Sequence, residues 1–313
     1  MNICPKLRIL ITGSTGFIGK NLNEYLSSKA CFELFTPKHG ELELLDTQSV
    51  ASYIADNRIN RVVHCAKVGG SRKTAYDQGD VDVVYRNLRM FLNLAQALGR
   101  STEMITLGSG AEYDYRHYIP KMKEEYFGKF VPDDPYGFSK YAISKLIEHS
   151  QNIINLRLFG VYGKYEDYEL RFISNTILKN MLGLPVVINQ NVNFDYLYVA
   201  DLVRIIELFL SRKPRHKFYN TARGETIDLV TIARLVGKVT SCNSDIVVKN
   251  TGMNIEYSAN NQRMLKEKRG IAFTEIERGI RELFSWYSSI IDTIDKERIK
   301  SDPYINACRI NNS

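Results

Sequence analysis

The sequence has no apolar run approaching the roughly 20 residues that a membrane-crossing helix needs. Its longest suspects, around residues 202–210 and 284–291, are broken by charge or hydroxyls, so no membrane partner is expected. Its five cysteines (Cys4, Cys31, Cys65, Cys242 and Cys308) show neither a paired framework nor metal-ligand spacing. They read as free thiols of a reducing cytoplasm. The histidines are equally scattered, which speaks against a bound metal. A GxSxG elbow, a P-loop GKS/T and a convincing carboxylate pair are all missing, leaving hydrolysis and phosphoryl transfer without support. Internal repeats and low-complexity tracts are absent too. A strand-like run begins within the first residues, so no room for a signal peptide is expected.

What is present is an ordinary globular composition. The 313 residues are 44% hydrophobic and 25% charged, enough for one large domain or two smaller ones. The net charge of +7 is not gathered into the stripe or aromatic-interleaved motif of a nucleic-acid binder. Positive pockets would suit a pyrophosphate-bearing cofactor and substrate; most lysines read as solvated surface.

Short apolar runs alternate with helical stretches through the first half. Strands are predicted at 7–11, 33–35, 61–65, 104–107 and 153–159, with helices at 17–26, 48–55, 81–98 and 136–150. That succession predicts an α/β, Rossmann-type doubly wound parallel sheet with helices on both faces. Past Gly160 the rhythm changes. Helices near 172–181, 201–210, 226–236 and 274–287 predict a smaller C-terminal substrate-binding lobe. The expected organisation is a dinucleotide-binding domain over 1–165, with later segments crossing back, a lobe over 166–290 and a polar tail over 291–313.

The first strand runs into Gly13-Ser14-Thr15-Gly16-Phe17-Ile18-Gly19, a GxxGxxG spacing that opens a helix. Gly13 allows a tight turn, Gly16 close approach to a pyrophosphate, and Gly19 packing of the helix against the sheet. The helix N-terminus offers free N–H groups and a favourable dipole to the anion. An acidic residue at the end of the second strand would mark NAD. Here Thr36-Pro37-Lys38-His39-Gly40 intervenes before Glu41. Lys38, helped by His39 or Ser14, either neutralises a ribose 2′-phosphate or points into water; the first reading favours NADP over NAD. Asp46, after Leu44-Leu45, either meets the adenine amino group or caps a helix.

In Pro135-Tyr136-Gly137-Phe138-Ser139-Lys140, Tyr136 and Lys140 are four apart and share a helix face. A lysine cation near a phenol favours phenolate and makes the hydroxyl a better proton donor or acceptor. The same lysine is placed to hold a nicotinamide ribose. Leu107-Gly108-Ser109-Gly110-Ala111 follows a strand and belongs at the carboxyl edge where ligands bind. Ser109 either polarises a substrate carbonyl or caps a turn. Asn87 either places Lys140 through a water or faces solvent.

Together these segments, with Arg157-Leu158-Phe159-Gly160-Val161-Tyr162-Gly163, resemble the extended short-chain dehydrogenase/reductase family over residues 7 to about 290. The resemblance implies a nucleotide-activated sugar as substrate, held by the C-terminal lobe, and a homodimer paired through helices like 81–98 and 136–150. His64-Cys65-Ala66-Lys67-Val68-Gly69-Gly70 and Glu41-Leu42-Glu43-Leu44-Leu45-Asp46 resemble the GDP-fucose synthase branch, which epimerises a GDP-4-keto-6-deoxy sugar and reduces it with NADPH. By that resemblance Leu45, Ala66, Lys67, Leu107, Phe159 and Val161 line the cofactor side. Val68, Gly69, Gly110, Ala111, Arg171, Lys179 and Arg263 then line the substrate side, with Lys179 at the phosphates. Three positions depart from the branch, one of them Phe194 where an arginine is expected before the Asp195 segment. The cysteine and histidine of its epimerising acid/base pair are replaced by Ala111 and Arg171. Alanine transfers no proton and arginine stays protonated, so reduction without epimerisation is expected. The rival readings are an NAD-dependent nucleotide-sugar 4-epimerase and a catalytically silent dinucleotide-binding module.

Overall fold

Residues 6–70, 81–267 and 270–308 are described by the computed structural model; Cys4 and residues 309–313 of the expected tail lie outside them. Five strands, β1 (Leu7–Thr12), β2 (Phe32–Phe35), β3 (Arg61–His64), β4 (Glu103–Ser109) and β5 (Ile153–Leu158), alternate with four helices. The helices are α1 (Phe17–Ser27), α2 (Thr47–Asp56), α3 (Val81–Ala97) and α4 (Pro135–Ile147). Then come β6 (Gly160–Tyr162), α5 (Phe172–Met181), β7 (Val186–Asn191), β8 (Asn193–Phe194), β9 (Tyr196–Tyr198), α6 (Val199–Ser211) and β10 (Phe218–Thr221). The chain closes with β11 (Ile227–Asp228), α7 (Leu229–Thr240), β12 (Ile246–Met253), α8 (Gln262–Glu267), α9 (Ile276–Ile290), α10 (Lys296–Lys300) and α11 (Pro303–Asn306).

The central sheet has the order β2-β1-β3-β4-β5-β10, every neighbouring pair parallel. Its strands read as near-continuous apolar runs because both faces are covered. Ile9 and Ile11 pack with Leu22 and Leu26 of α1 and Leu202 and Ile206 of α6. Leu10 points to the opposite layer, among Val50, Phe91 and Ile143 of α2, α3 and α4. Such alternation is what a pleated strand imposes. The order reverses at β1, and the crevice outside the strands' carboxyl ends there is where ligands bind in open parallel sheets.

The second half builds its own core from α5, α7 and α9, with Ile177, Ile232 and Leu283 at its centre. One strand leaves that half: β10 joins the edge of the central sheet, with Tyr219 opposite Leu156. The helix expected from residue 226 starts only at Leu229, because Ile227 and Asp228 pair with β8. The Asp228 carboxylate then caps the helix by accepting from the Thr231 N–H at 3.1 Å. The 291–308 segment is polar in composition, yet Ile294, Ile299 and Tyr304 are buried in the lobe's core. There the Tyr304 ring lies 5.6 Å from Phe172. None of the described helices is long and apolar enough to cross a membrane, and no three potential metal ligands cluster among the described residues.

Candidate active site

The turn between β1 and α1 is tight enough to exclude side chains at two positions. Gly13 has φ +65°, and a β-carbon on Gly19 would sit 2.2 Å from the Gly13 carbonyl oxygen. Gly16 starts α1, and no side chain caps it, so backbone donors of the first turn remain for an anion. Thr15 beside it is exposed, and Phe17 and Ile18 are partly buried in the first turn of α1. The cradle has the shape and donor chemistry for a dinucleotide pyrophosphate. The Ser14 hydroxyl reaches the Thr36 carbonyl at the end of β2. A cavity of about 570 Å³ opens there, lined by Phe35, Thr36, Pro37, Lys38, Glu41 and Tyr53. Lys38 is exposed, and its backbone N–H donates to the Glu41 carboxylate at 2.7 Å. That turn folds a carboxylate back toward the strand's end, which linear reading had placed beyond it. His39 lies 3.4 Å from Glu43. Asp46 accepts from the Ser49 N–H and caps α2, while Leu45 is held through its carbonyl by Arg89.

Tyr136 and Lys140 occupy the first turns of α4, which begins at Pro135 with Asp134 accepting from the Gly137 N–H at 2.7 Å. A fixed first turn sets the direction of both side chains. The Lys140 ammonium lies 5.8 Å from the Tyr136 ring centroid and donates to the Leu107 carbonyl at 2.8 Å. Burial pulls the Lys140 pKa down to about 8; Lys67 pushes the same way and Glu112 opposes it. Burial pushes the Tyr136 phenol up and the neighbouring Tyr257 acts the same way, with Ser109 and the positive field of Arg171 pulling the other way. Residues 67–70, which follow β3, lie over the ring. A β-carbon on Gly70 would come within 2.6 Å of Tyr136, and the Lys67 ammonium, bonded to the Gly69 carbonyl, lies 5.4 Å from the ring centroid. Asn87, buried, clamps this loop: it accepts from the Val68 N–H at 2.8 Å and donates to the Val68 carbonyl and the Ser139 hydroxyl. The Ala66 N–H reaches the Thr12 hydroxyl at 3.3 Å.

Ser109 ends β4, where its hydroxyl accepts from the Ala111 N–H at 3.1 Å; turn-capping and a place at the reacting centre thus coincide in one side chain. Gly110 and Phe159 meet beneath it. Below lies a buried ion pair that sequence reasoning missed. The fully buried Glu112 carboxylate accepts from Arg157 Nε at 2.6 Å, Ser144 at 2.6 Å, Asn155 at 3.1 Å and the Ser109 N–H at 3.0 Å. The Arg157 guanidinium is also stacked near Phe127 and Phe218. This pair anchors the backbone that presents Ser109.

Other expected positions scatter. Ala111 borders the centre, and Arg171, exposed at the start of α5, acts electrostatically on Tyr136. Val161 packs between the sheet's core and the lobe's. Lys179 is buried and ion-paired to Asp302 at 2.6 Å, under the C-terminal segment. Arg263 sits at the sheet's outer edge, bonded to Glu125 and the Phe218 carbonyl; the structure does not bring it to Ser109 and Tyr136.

The family described as NAD dependent epimerase/dehydratase matches residues 9–222. The chain belongs to that family. As an NAD dependent epimerase/dehydratase family member it is an NAD(P)-dependent enzyme, and its glycine turn fits the cofactor. Among its relatives, GDP-L-fucose synthase of Escherichia coli is 23% identical over 271 residues, covering 77% of this chain and 84% of the relative. The GDP-mannoheptose C4 reductase of Campylobacter jejuni, solved with NADP bound, superposes with a TM-score of 0.79 at 19% identity, covering 92% of this chain and 100% of that one. UDP-glucose 4-epimerase of Thermotoga maritima, solved with UDP-glucose, gives 0.77 at 19%, covering 91% and 99%. These solved structures share the family member's fold.

Proposed function

We propose that this enzyme reduces the C4 ketone of a nucleotide-activated 4-keto-6-deoxy sugar, GDP-linked, hexose or heptose, using NADPH and without epimerisation. The observation that carries the reading is the grouping of Ser109, Tyr136 and Lys140 at the carboxyl ends of β4 and α4's first turns, with Ala111 beside them where an epimerising enzyme needs a proton carrier. Bound NADPH would supply hydride to the carbonyl carbon. Tyr136 donates the proton to the oxygen, Ser109 aligns and polarises that oxygen, and the Lys140 cation stabilises the phenolate left behind. Exposed Tyr85 and Leu92 of α3 and Phe138 and Leu146 of α4 support a homodimer face on these two helices.

Epimerisation beside a ketone removes a carbon-bound proton and returns one from solvent, which requires positioned groups that exchange protons. Incubating a GDP-4-keto-6-deoxyhexose with the enzyme in D₂O, without NADPH, isolates that step. No deuterium at C3 or C5 is expected, and adding NADPH should give an alcohol with both centres unchanged. Catalysed incorporation at either carbon overturns the reductase-only reading. Neighbouring candidates offer little: Glu112 is committed to Arg157, and the buried Tyr113 phenol donates to Asn220 at 2.7 Å.

The Glu41 carboxylate beside Lys38 favours a second reading, a 4-epimerase that keeps NAD bound and returns the same hydride, with no net redox change. Cofactor affinity separates the two. Lys38→Ala is expected to weaken NADPH binding much more than NADH binding, measured as two dissociation constants. Equal losses, or a preference of the unaltered enzyme for NADH, reject the NADPH assignment.

A further inference from the structure

A phenol from the second half of the chain stands beside the carbonyl site. Tyr257 lies between β12 and α8, its N–H donating to the Asn193 carbonyl and its own carbonyl accepting from the Asp195 N–H, each at 3.0 Å. The residues after it are fixed as firmly. The Ser258 carbonyl accepts from the Met122 N–H at 3.1 Å, and the Asn260 N–H donates to the Met122 carbonyl at 2.8 Å. The Tyr257 ring is seated among Phe159, Tyr118 and Phe194 at centroid distances of 4.9, 5.1 and 5.6 Å. Held at backbone and ring, the side chain aims its hydroxyl at the end of β4, where a β-carbon on Gly110 would meet the oxygen at 2.5 Å.

Gly110 is not among the glycines of positive φ, so its backbone asks for no glycine; the space does. A β-carbon there would also come within 2.9 Å of the Phe159 ring. On one side of Gly110 stands Ser109. On the other, the Ala111 carbonyl lies 2.9 Å from where a β-carbon on Gly137 would sit, next to Tyr136. The phenol therefore adjoins the group that holds the substrate oxygen and the helix that carries the proton donor. Gly110 admits it, and Tyr257 fills the place.

We propose that the Tyr257 hydroxyl binds the C3 hydroxyl of the sugar, so that the enzyme selects substrates that carry it. The proposal rests on the reductase reading above, which seats the C4 oxygen at Ser109 and Tyr136. Two carbons are bonded to C4 in a 4-keto-6-deoxy sugar. C3 bears a hydroxyl, whereas C5 bears the ring oxygen and an arm without a hydroxyl at C6. A phenol beside the carbonyl site thus finds a hydroxyl at C3, and each of the two groups can donate or accept. A sugar lacking that hydroxyl leaves the phenol oxygen without its partner among aromatic rings, which costs affinity. The bond is made alike before and during hydride transfer, so it acts on binding and not on the chemical step.

The test compares a GDP-4-keto-6-deoxyhexose with its 3-deoxy analogue. The unaltered enzyme is expected to favour the first by about 10-fold in kcat/KM, the size of one hydrogen bond. Tyr257→Phe keeps the ring for packing. It should lose about 10-fold on the first sugar, through KM with kcat nearly unchanged, and nothing on the analogue, so that the preference vanishes. Gly110→Ala, which pushes the phenol oxygen away, should erase the same preference. Enzyme saturated with NADP⁺ has no hydride to give, and titrating it with the two sugars should show the same split in dissociation constants. Equal losses on both sugars in Tyr257→Phe overturn the proposal, since the phenol would then be a structural support. A preference that survives in either variant also overturns it, as does an unaltered enzyme that reduces both sugars equally well; each of these leaves the reductase reading standing. An unaltered enzyme that consumes no NADPH with either sugar overturns both.

Discussion

Tyr136→Phe is expected to keep the fold and the affinity for dinucleotide while losing about 100-fold or more in turnover, the lower range for a positioned acid/base group. The phenyl ring retains the contact with Gly70 and leaves the Lys140 bond to the Leu107 carbonyl in place. What disappears is the phenolic proton donor beside Lys140 at the reacting centre. Single-turnover hydride transfer at saturating ligand reads the loss directly, because product release does not enter it. A rate near that of the unaltered enzyme would mean that another group protonates the oxygen. Unchanged binding with slow chemistry is the signature of an interaction made in the transition state alone.

The largest effect on stability is expected at Glu112, far from any solvent. Glu112→Ala leaves the Arg157 guanidinium, with 1% of its side chain exposed, without its carboxylate. Arginine does not deprotonate in proteins, so the buried charge stays. Breaking one partner of such a pair costs about 3–5 kcal/mol. Urea unfolding should show a loss of that size at unchanged slope. Glu112→Gln, which keeps the volume, should still lose most of it, because its amide turns donors toward Arg157 or Ser144. A loss below about 1 kcal/mol would show that water enters and rehydrates the guanidinium. Any folded variant should also turn over more slowly, since Glu112 holds the Ser109 backbone.

What could be read in advance follows from how local its causes are. The strand at β1 announced itself as the consecutive apolar residues Ile9-Leu10-Ile11, because that stretch is buried on both faces. The helix at α5 was legible to the residue at both ends. The glycine turn and the Tyr136–Lys140 spacing are local too, and the structure gathers Ser109 to them. Strand β10 was not legible as such: four residues carry no periodicity long enough to separate strand from loop. Glu112 gave no signal either, since its partner Arg157 is 45 residues away and the contact is purely tertiary. Arg157 did leave a trace. A charge inside the apolar run of residues 153–159 demands a buried partner, and that requirement pointed at a carboxylate without saying which. In the tail, three apolar residues spaced five apart join the lobe's core, α10 packing on α5 and the Tyr304 ring lying beside Phe172.

The crossing of β10 has a consequence for how the protein is made. Strand β5 ends at Leu158, and the strand that covers its open edge begins only at Phe218. During synthesis at about 5–20 residues per second, roughly 60 intervening residues take about 3–12 s to follow. For that interval a nascent chain that has already collapsed around β1 to β5 presents an unpaired ladder of backbone groups, a template for pairing with another chain. A polypeptide halted before residue 218 stays in that condition. Such arrested chains should therefore be found with chaperones or in aggregates, while chains extended a few residues past Thr221 should resist both.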